Sequence, residues 1–252
     1  MKTILRLSGI ALIAVFLSIA HCMASAGGYY NVRDYGAAGD GKNIDSDAVN
    51  EAIKAAASAG GGTVYFPAGT YSCYSIRLEN NIRIYLDMGA VIKAAVATQD
   101  KGYDLPEENP NNKYQDFGHS HWKNSLIWGI GIHDIAIEGH GMIDGPEGLA
   151  RGERRSAGIN GANKDIALKE CWNVTIRDVS MLMCGHFALL ATGVDNMILD
   201  NLTVDTNRDG FDIDCCSNVS VINCRVNTLN DDAIVLKSSY GLGYAKATEN
   251  VT

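Results

Sequence analysis

The chain has 252 residues, 46% hydrophobic and 20% charged, with 21 basic and 29 acidic side chains and a formal net charge of -8. These are the proportions of a folded globular protein, and they exclude a wholly disordered or collagen-like chain. The acidic balance argues against general nucleic-acid binding, which needs a basic surface for phosphate contacts, so no nucleic-acid partner is expected.

Lys2 and Arg6 precede the apolar run Leu7–Ala20, and Ala24, Ser25 and Ala26 supply the small residues of a cleavage site. This is the pattern of a secretory signal peptide cleaved after Ala26. Residues 1–26 are then an address, residues 27–252 one mature domain, and the protein is secreted or periplasmic. The run is short for a bilayer span of about 20 residues, and no later segment is long enough, so no membrane span is expected. Ile19-Ala20-His21-Cys22 has the outline of a lipoprotein box, but His21 stands where a small residue belongs, which makes lipidation the lesser alternative. Six cysteines remain after Cys22: Cys73, Cys171, Cys184, Cys215, Cys216 and Cys224. Export permits disulfides among them, buried free thiols are the simpler alternative, and the absence of any Cys-x-x-Cys pair argues against zinc.

Ser46–Ala59 is rich in helix formers, with Val49, Ile53 and Ala56 or Ala57 on one face. Asp45 or Ser46 can cap its start, and Gly60-Gly61-Gly62 ends it. The glycines follow a helix and lack a Gly-Lys-Ser/Thr ending, so they are not a phosphate loop.

From Asp134 one short phrase recurs: Asp134-Ile-Ala-Ile, Asn173-Val-Thr-Ile, Asn196-Met-Ile-Leu, Asn218-Val-Ser-Val and Asn250-Val-Thr, with Asn81-Ile-Arg-Ile as an earlier relative. Each is a short β-branched strand introduced by a turn-forming Asn or Asp. The positions 173, 196 and 218 are 23 and 22 residues apart. Short strands at this period, without helices between them, predict an all-β fold: a single-stranded right-handed parallel β-helix, with the Ser46–Ala59 helix capping its N-terminal end. The Leu-x-x-Leu-x-Leu frame of leucine-rich repeats is absent. The phrase also creates Asn-x-Ser/Thr sequons at Asn173, Asn201, Asn218 and Asn250, which the repeat explains without glycosylation. The sequence stops at Thr252 inside another copy of the phrase, and the expectation is a chain whose C-terminal coils are missing.

Two acidic segments superimpose when shifted by 23 residues: Asn207-Arg208-Asp209-Gly210-Phe211-Asp212-Ile213-Asp214 and Asn230-Asp231-Asp232-Ala233-Ile234-Val235-Leu236-Lys237. Asp209 and Asp232 should therefore stack in neighbouring coils, with Asp231 beside them. One further step of 23 back reaches His186, giving a predicted column of His186, Asp209 and Asp232. Stacked carboxylates repel unless one keeps a proton or something binds there. Such a group suits glycoside hydrolysis, in which an acid protonates the leaving oxygen while a base activates water. Calcium binding is the alternative for the trio, and backbone hydrogen bonding in turns is the plainer reading of Asp212 and Asp214.

These motifs resemble glycoside hydrolase family 28, the polygalacturonases and their pectin-degrading relatives, over roughly Tyr30 to Thr252. Asp34-Tyr-Gly-Ala-Ala-Gly-Asp-Gly and Gly62-Thr-Val-Tyr-Phe-Pro-Ala-Gly-Thr-Tyr match the opening region of many pectin-active β-helices. Asn207-Arg208-Asp209 stands for the family's Asn-Thr-Asp, and Asn230-Asp231-Asp232 for its Gly/Gln-Asp-Asp. Arg208 and Asn230 depart from the commonest residues. The resemblance implies Asp231 as general acid, Asp209 and Asp232 as the pair activating water, inversion at the anomeric carbon, and no metal or organic cofactor. The family's Gly-His-Gly and Arg-Ile-Lys motifs would lie beyond Thr252, so activity of this chain alone is in doubt.

The expected substrate is a pectic polysaccharide, hydrolysed by a monomer. Candidate substrate contacts are His186, Arg208, Lys237, which aligns with Asp214, and Tyr240, with Tyr244 as a further stacking ring. His119 and His121 could line a groove, and Arg151, Arg154 and Arg155 form a basic insertion. A calcium-dependent polysaccharide lyase and a non-catalytic carbohydrate-binding remnant are the competing readings.

Overall fold

A computed structural model describes residues 28–114, 119–146, 148–150 and 160–252. The expected signal peptide, Phe117 of the His-rich run, and the basic insertion Arg151, Arg154 and Arg155 lie outside the described residues.

The strands form three parallel sheets of eight, seven and six members, each strand pairing with its counterpart in the next coil. This is the expected right-handed parallel β-helix. The first sheet carries the repeated phrases. Its register runs through Val64, Ile84, Ile137, Ile176, Leu199 and Val221, one interior residue per coil. The coil steps of 23 and 22 appear as the pairs Trp172–Asp195 and Asp195–Ser217. The Asn or Asp heading each phrase has a left-handed backbone: φ is 62° at Asn81, 55° at Asp134 and Asn173, 58° at Asn196, 57° at Asn218 and 54° at Asn250. Short polar side chains tolerate this conformation better than other non-glycine residues, which is why the phrase keeps them. They also stack: Asn173 Nδ2 donates to Asp134 Oδ1 at 2.9 Å, and Asn250 Nδ2 to Asn218 Oδ1 at 3.2 Å.

The capping helix spans Ser46–Ser58 and buries Val49, Ala52, Ile53 and Ala56 against the first coils. Asp45 is the residue at its N-cap but makes no side-chain bond to the helix. Its carboxylate instead accepts from Ala38 N (2.7 Å) and Gly39 N (3.1 Å), while Ser46 Oγ accepts from Tyr74 N. The expected cap is thus spent on tying neighbouring loops together. Gly60 and Gly61, at φ 92° and 125°, turn the chain out of the helix as expected.

The third sheet positions the acidic segments. Five of its strands, Ile127–Ile130, Lys164–Lys169, Phe187–Thr192, Asp209–Asp214 and Ile234–Lys237, place Ile127, Ile166, Leu189 and Phe211 in one interior ladder, which Ile234, 47% exposed, continues on the last strand. Phe211 is fully buried. Phe211→Ala should cost about 3–5 kcal/mol through lost transfer energy and a cavity, read as a lower urea midpoint. All six cysteines of residues 28–252 are free thiols, five of them buried, so the simpler alternative holds.

Asp165 is completely buried beside Cys184, and burial pushes its carboxyl up to about 8, with the Asp144 charge adding to the effect and a Cys184 hydrogen bond opposing it. A carboxyl raised above its ordinary 3.8 in the folded state stabilises the fold fully only at pH values below that number. That contribution is lost as pH rises through the folded value, at up to about 1.4 kcal/mol per pH unit. Melting temperature should therefore fall between mildly acid and mildly alkaline pH, and Asp165→Asn, which mimics the neutral acid, should flatten the fall. An equal fall in the variant would place the effect elsewhere.

Among the described residues no helix is long and apolar enough to cross a membrane.

Candidate active site

The 23-residue shift is the register of the last two strands of the third sheet: Phe211 pairs with Ile234, Asp212 with Val235, Ile213 with Leu236 and Asp214 with Lys237. Gly210 N donates to Asp232 O at 2.9 Å, and Asn230 Nδ2 to Asn207 Oδ1 at 3.0 Å, so the two acidic segments stack as expected. The next step back differs. Phe187, not His186, is the partner of Asp209, because that coil is one residue shorter. His186 is offset from the predicted column: its carbonyl accepts from Asp209 N, while its ring Nε2 still comes within 3.6 Å of Asp209 Oδ2.

Asp209, Asp231 and Asp232 line one cavity of about 290 Å³ with His186, Arg208 and Lys237. Asp209 is buried at the start of its strand, whereas Asp231 and Asp232 are exposed in the turn before Ile234–Lys237. Burial, the charges of Asp212 and Asp231 and a hydrogen bond with Asp231 push the Asp209 carboxyl up to about 7, against the pull of Arg208. Arg208 Nη2 sits 2.8 Å from Asp231 Oδ2 and 3.4 Å from His186 Nε2. His186 is buried and stacked on Phe187, with ring centroids 4.2 Å apart. Burial and the nearby Arg208, His119 and Lys164 lower its pKa to about 3, so its imidazole is a neutral wall of the site. A raised Asp209 carboxyl hydrogen-bonded to Asp231, which lies beside the Arg208 guanidinium, brings a proton, an acceptor and a balancing charge together, the elements of acid–base chemistry.

The remaining wall comes from a long excursion. Between the strands Ala90–Ala94 and Ile127–Ile130 the chain crosses the outer face of the third sheet, where Trp122, Ala167, Phe187 and Leu190 form a small second core. Trp122 anchors the crossing: its Nε1 donates to Thr192 Oγ1 at 3.1 Å, Lys169 Nζ lies 4.4 Å over its ring, and Glu107 accepts from its backbone N. The crossing delivers His119 into the cavity, where Nε2 bonds Asp212 Oδ2 and lies 3.0 Å from Lys237 Nζ. His119 thus lines the groove. His121 turns to the Glu107 carbonyl.

Two residues sit differently from the expectation. Tyr240 is not among the cavity's lining residues; it packs edge-on against Tyr114 at 5.6 Å, because its loop folds back towards the excursion. Tyr244 is also absent from the lining. Of the two acids read as turn residues, Asp214 is one, accepting from Ser239 N and Oγ, but Asp212 is a cavity wall. The missed signal was alternation, since Asp212 stands opposite the interior residues Phe211 and Ile213. Among the described residues no group of three or more His, Cys, Asp or Glu side chains is arranged to hold a metal ion.

The family model described as "Rhamnogalacturonase A/epimerase, pectate lyase-like" matches residues 29–245. The chain belongs to this family. Its polygalacturonase-like character, read from the aspartate motifs, agrees with a 26% identity over 86% of the chain to "Probable polygalacturonase" of Vitis vinifera, of which 46% is covered. "Alginate lyase 7" of Azotobacter vinelandii is 32% identical over 72% of the chain and 20% of its own length. The chain thus spans less than half the length of these curated relatives. The solved family 28 exopolygalacturonase of Yersinia enterocolitica shares the fold, with a TM-score of 0.68 at 20% identity over 83% of this chain and 45% of that one.

Proposed function

We propose that this domain hydrolyses α-glycosidic bonds in a galacturonic-acid-containing pectic polysaccharide, as part of a secreted or periplasmic protein. The observation that carries the reading is the Asp209–Asp231 pair, hydrogen-bonded around a raised pKa and backed by Arg208, with Asp232 beside it in one open cavity. Asp231 delivers the shared proton to the leaving glycosidic oxygen as the bond to the anomeric carbon breaks. The Arg208 guanidinium then stabilises the carboxylate left behind. Asp209 and Asp232 accept a proton from the water whose oxygen attacks the anomeric carbon. Lys237 and Arg208 supply the positive charge that a uronate carboxylate seeks, and the neutral His186 walls the site.

The likeness to an alginate lyase favours a second reading, β-elimination from a uronic-acid polymer on the same scaffold. Following a polygalacturonate digest by proton NMR separates the two. Hydrolysis with inversion should release the β-anomer first, before mutarotation. Elimination also frees a reducing end, of retained α configuration, and leaves an unsaturated uronate. Initial release of the α-anomer would therefore reject inversion, and an olefinic proton signal at new non-reducing ends would reject hydrolysis.

A further inference from the structure

We propose that His119 is a positioning residue that aims the Lys237 ammonium at a uronate carboxylate, so that the domain prefers acidic to methyl-esterified polymer. His119 has this role only if the substrate is the uronate polymer proposed above.

His119 is 3% exposed and fixed on several sides. Its ring meets Phe187 edge-on at 4.9 Å, and Trp122, three residues on, pins the crossing to Thr192. Nε2 faces both Asp212 Oδ2 and Lys237 Nζ, while Nδ1 has no hydrogen-bond partner among the described residues. A single ring nitrogen serves one of these neighbours at a time: with a proton it donates to Asp212, and without one it accepts from Lys237. A lysine ammonium on its four-carbon stem samples many rotamers unless held. His119 is one of the contacts that hold it at the cavity wall, at 3.0 Å from Nζ. When a substrate carboxylate takes over the ammonium, the one N–H proton of the neutral imidazole passes from Nδ1 to Nε2 by exchange through water. Nε2 then donates to Asp212, so Asp212 keeps a partner. A methyl ester brings no charge and gains little from an ammonium fixed in this way.

The test compares kcat and KM of the full-length protein on polygalacturonate and on its methyl-esterified form, for wild type and for His119→Leu, His119→Phe and His119→Gln, with folding checked by circular dichroism. Leu and Phe fill the space without a polar atom. They should lower the preference for the acidic polymer about tenfold, the loss lying in KM and not in kcat. Gln carries both a donor and an acceptor and should restore most of the preference. A folded Leu or Phe variant with wild-type preference, or equal losses on both polymers, would overturn the proposal. So would failure of both variants to fold, which would make His119 a structural residue. Wild-type protein that turns over neither polymer would instead reject the hydrolase reading itself.

Discussion

Asp231→Asn is expected to lower kcat on polygalacturonate by about 10²–10⁴-fold, the span that a positioned general acid supplies. The residue is exposed at the cavity mouth, and its side chain and that of Arg208 are each 30% open to water, so the fold loses little with the pair. Asparagine keeps the shape and a hydrogen-bond acceptor for Arg208 but carries no transferable proton. Melting temperature should stay within a few degrees of wild type, since partly exposed pairs contribute about 0–1 kcal/mol. Asp209→Asn should be comparably inactive, because the two carboxyls share the proton, and the double variant should be scarcely worse than either single one. Additive losses in the double variant would mean that the two acids act independently and that the pair is not a unit.

The second large effect is on pH. The proton held at the Asp209–Asp231 hydrogen bond is present below about 7, the value to which Asp209 is raised, and lost above it. Once it has passed through Asp231 to the leaving oxygen, the Asp209 carboxylate is ionised and can take the proton of the attacking water. If the shared proton is the one delivered to the leaving group, kcat/KM should fall about tenfold for each pH unit above neutrality. Asp212 is the largest charge raising Asp209, so Asp212→Asn should move this alkaline limb to lower pH. The sign is fixed by charge: removing a neighbouring anion makes ionising Asp209 easier. A rate that stays level to about pH 9, or a limb that moves upward in Asp212→Asn, would contradict the assignment.

Much of this was legible in the sequence because a solenoid repeats its physics. Each coil needs a left-handed turn residue and inward apolar residues, so Asn81, Asn173, Asn196 and Asn218 announce the first sheet, and the 23-residue shift brings Asp209 over Asp232 without coordinates. What the period does not encode is the length of individual turns. The coil between Phe187 and Asp209 is one residue shorter, which is why His186 slips off the predicted column. Non-periodic chain is harder still. Where the chain lands at residues 119–126 depends on Trp122 finding Ala167, Phe187 and Leu190 on the outside of another sheet. His119 could be suspected of lining a groove but not matched to Asp212. The packing of Tyr240 was illegible for the same reason, since an aromatic ring in a loop packs on whichever neighbour the loop meets, here Tyr114.

The most direct test of hydrolysis at the three aspartates is a product assay of the full-length protein on polygalacturonate, with alginate in parallel. New reducing ends from polygalacturonate should accumulate without near-ultraviolet absorbance, and Asp231→Asn should abolish them. Unsaturated, ultraviolet-absorbing ends, or turnover of alginate alone, would contradict it.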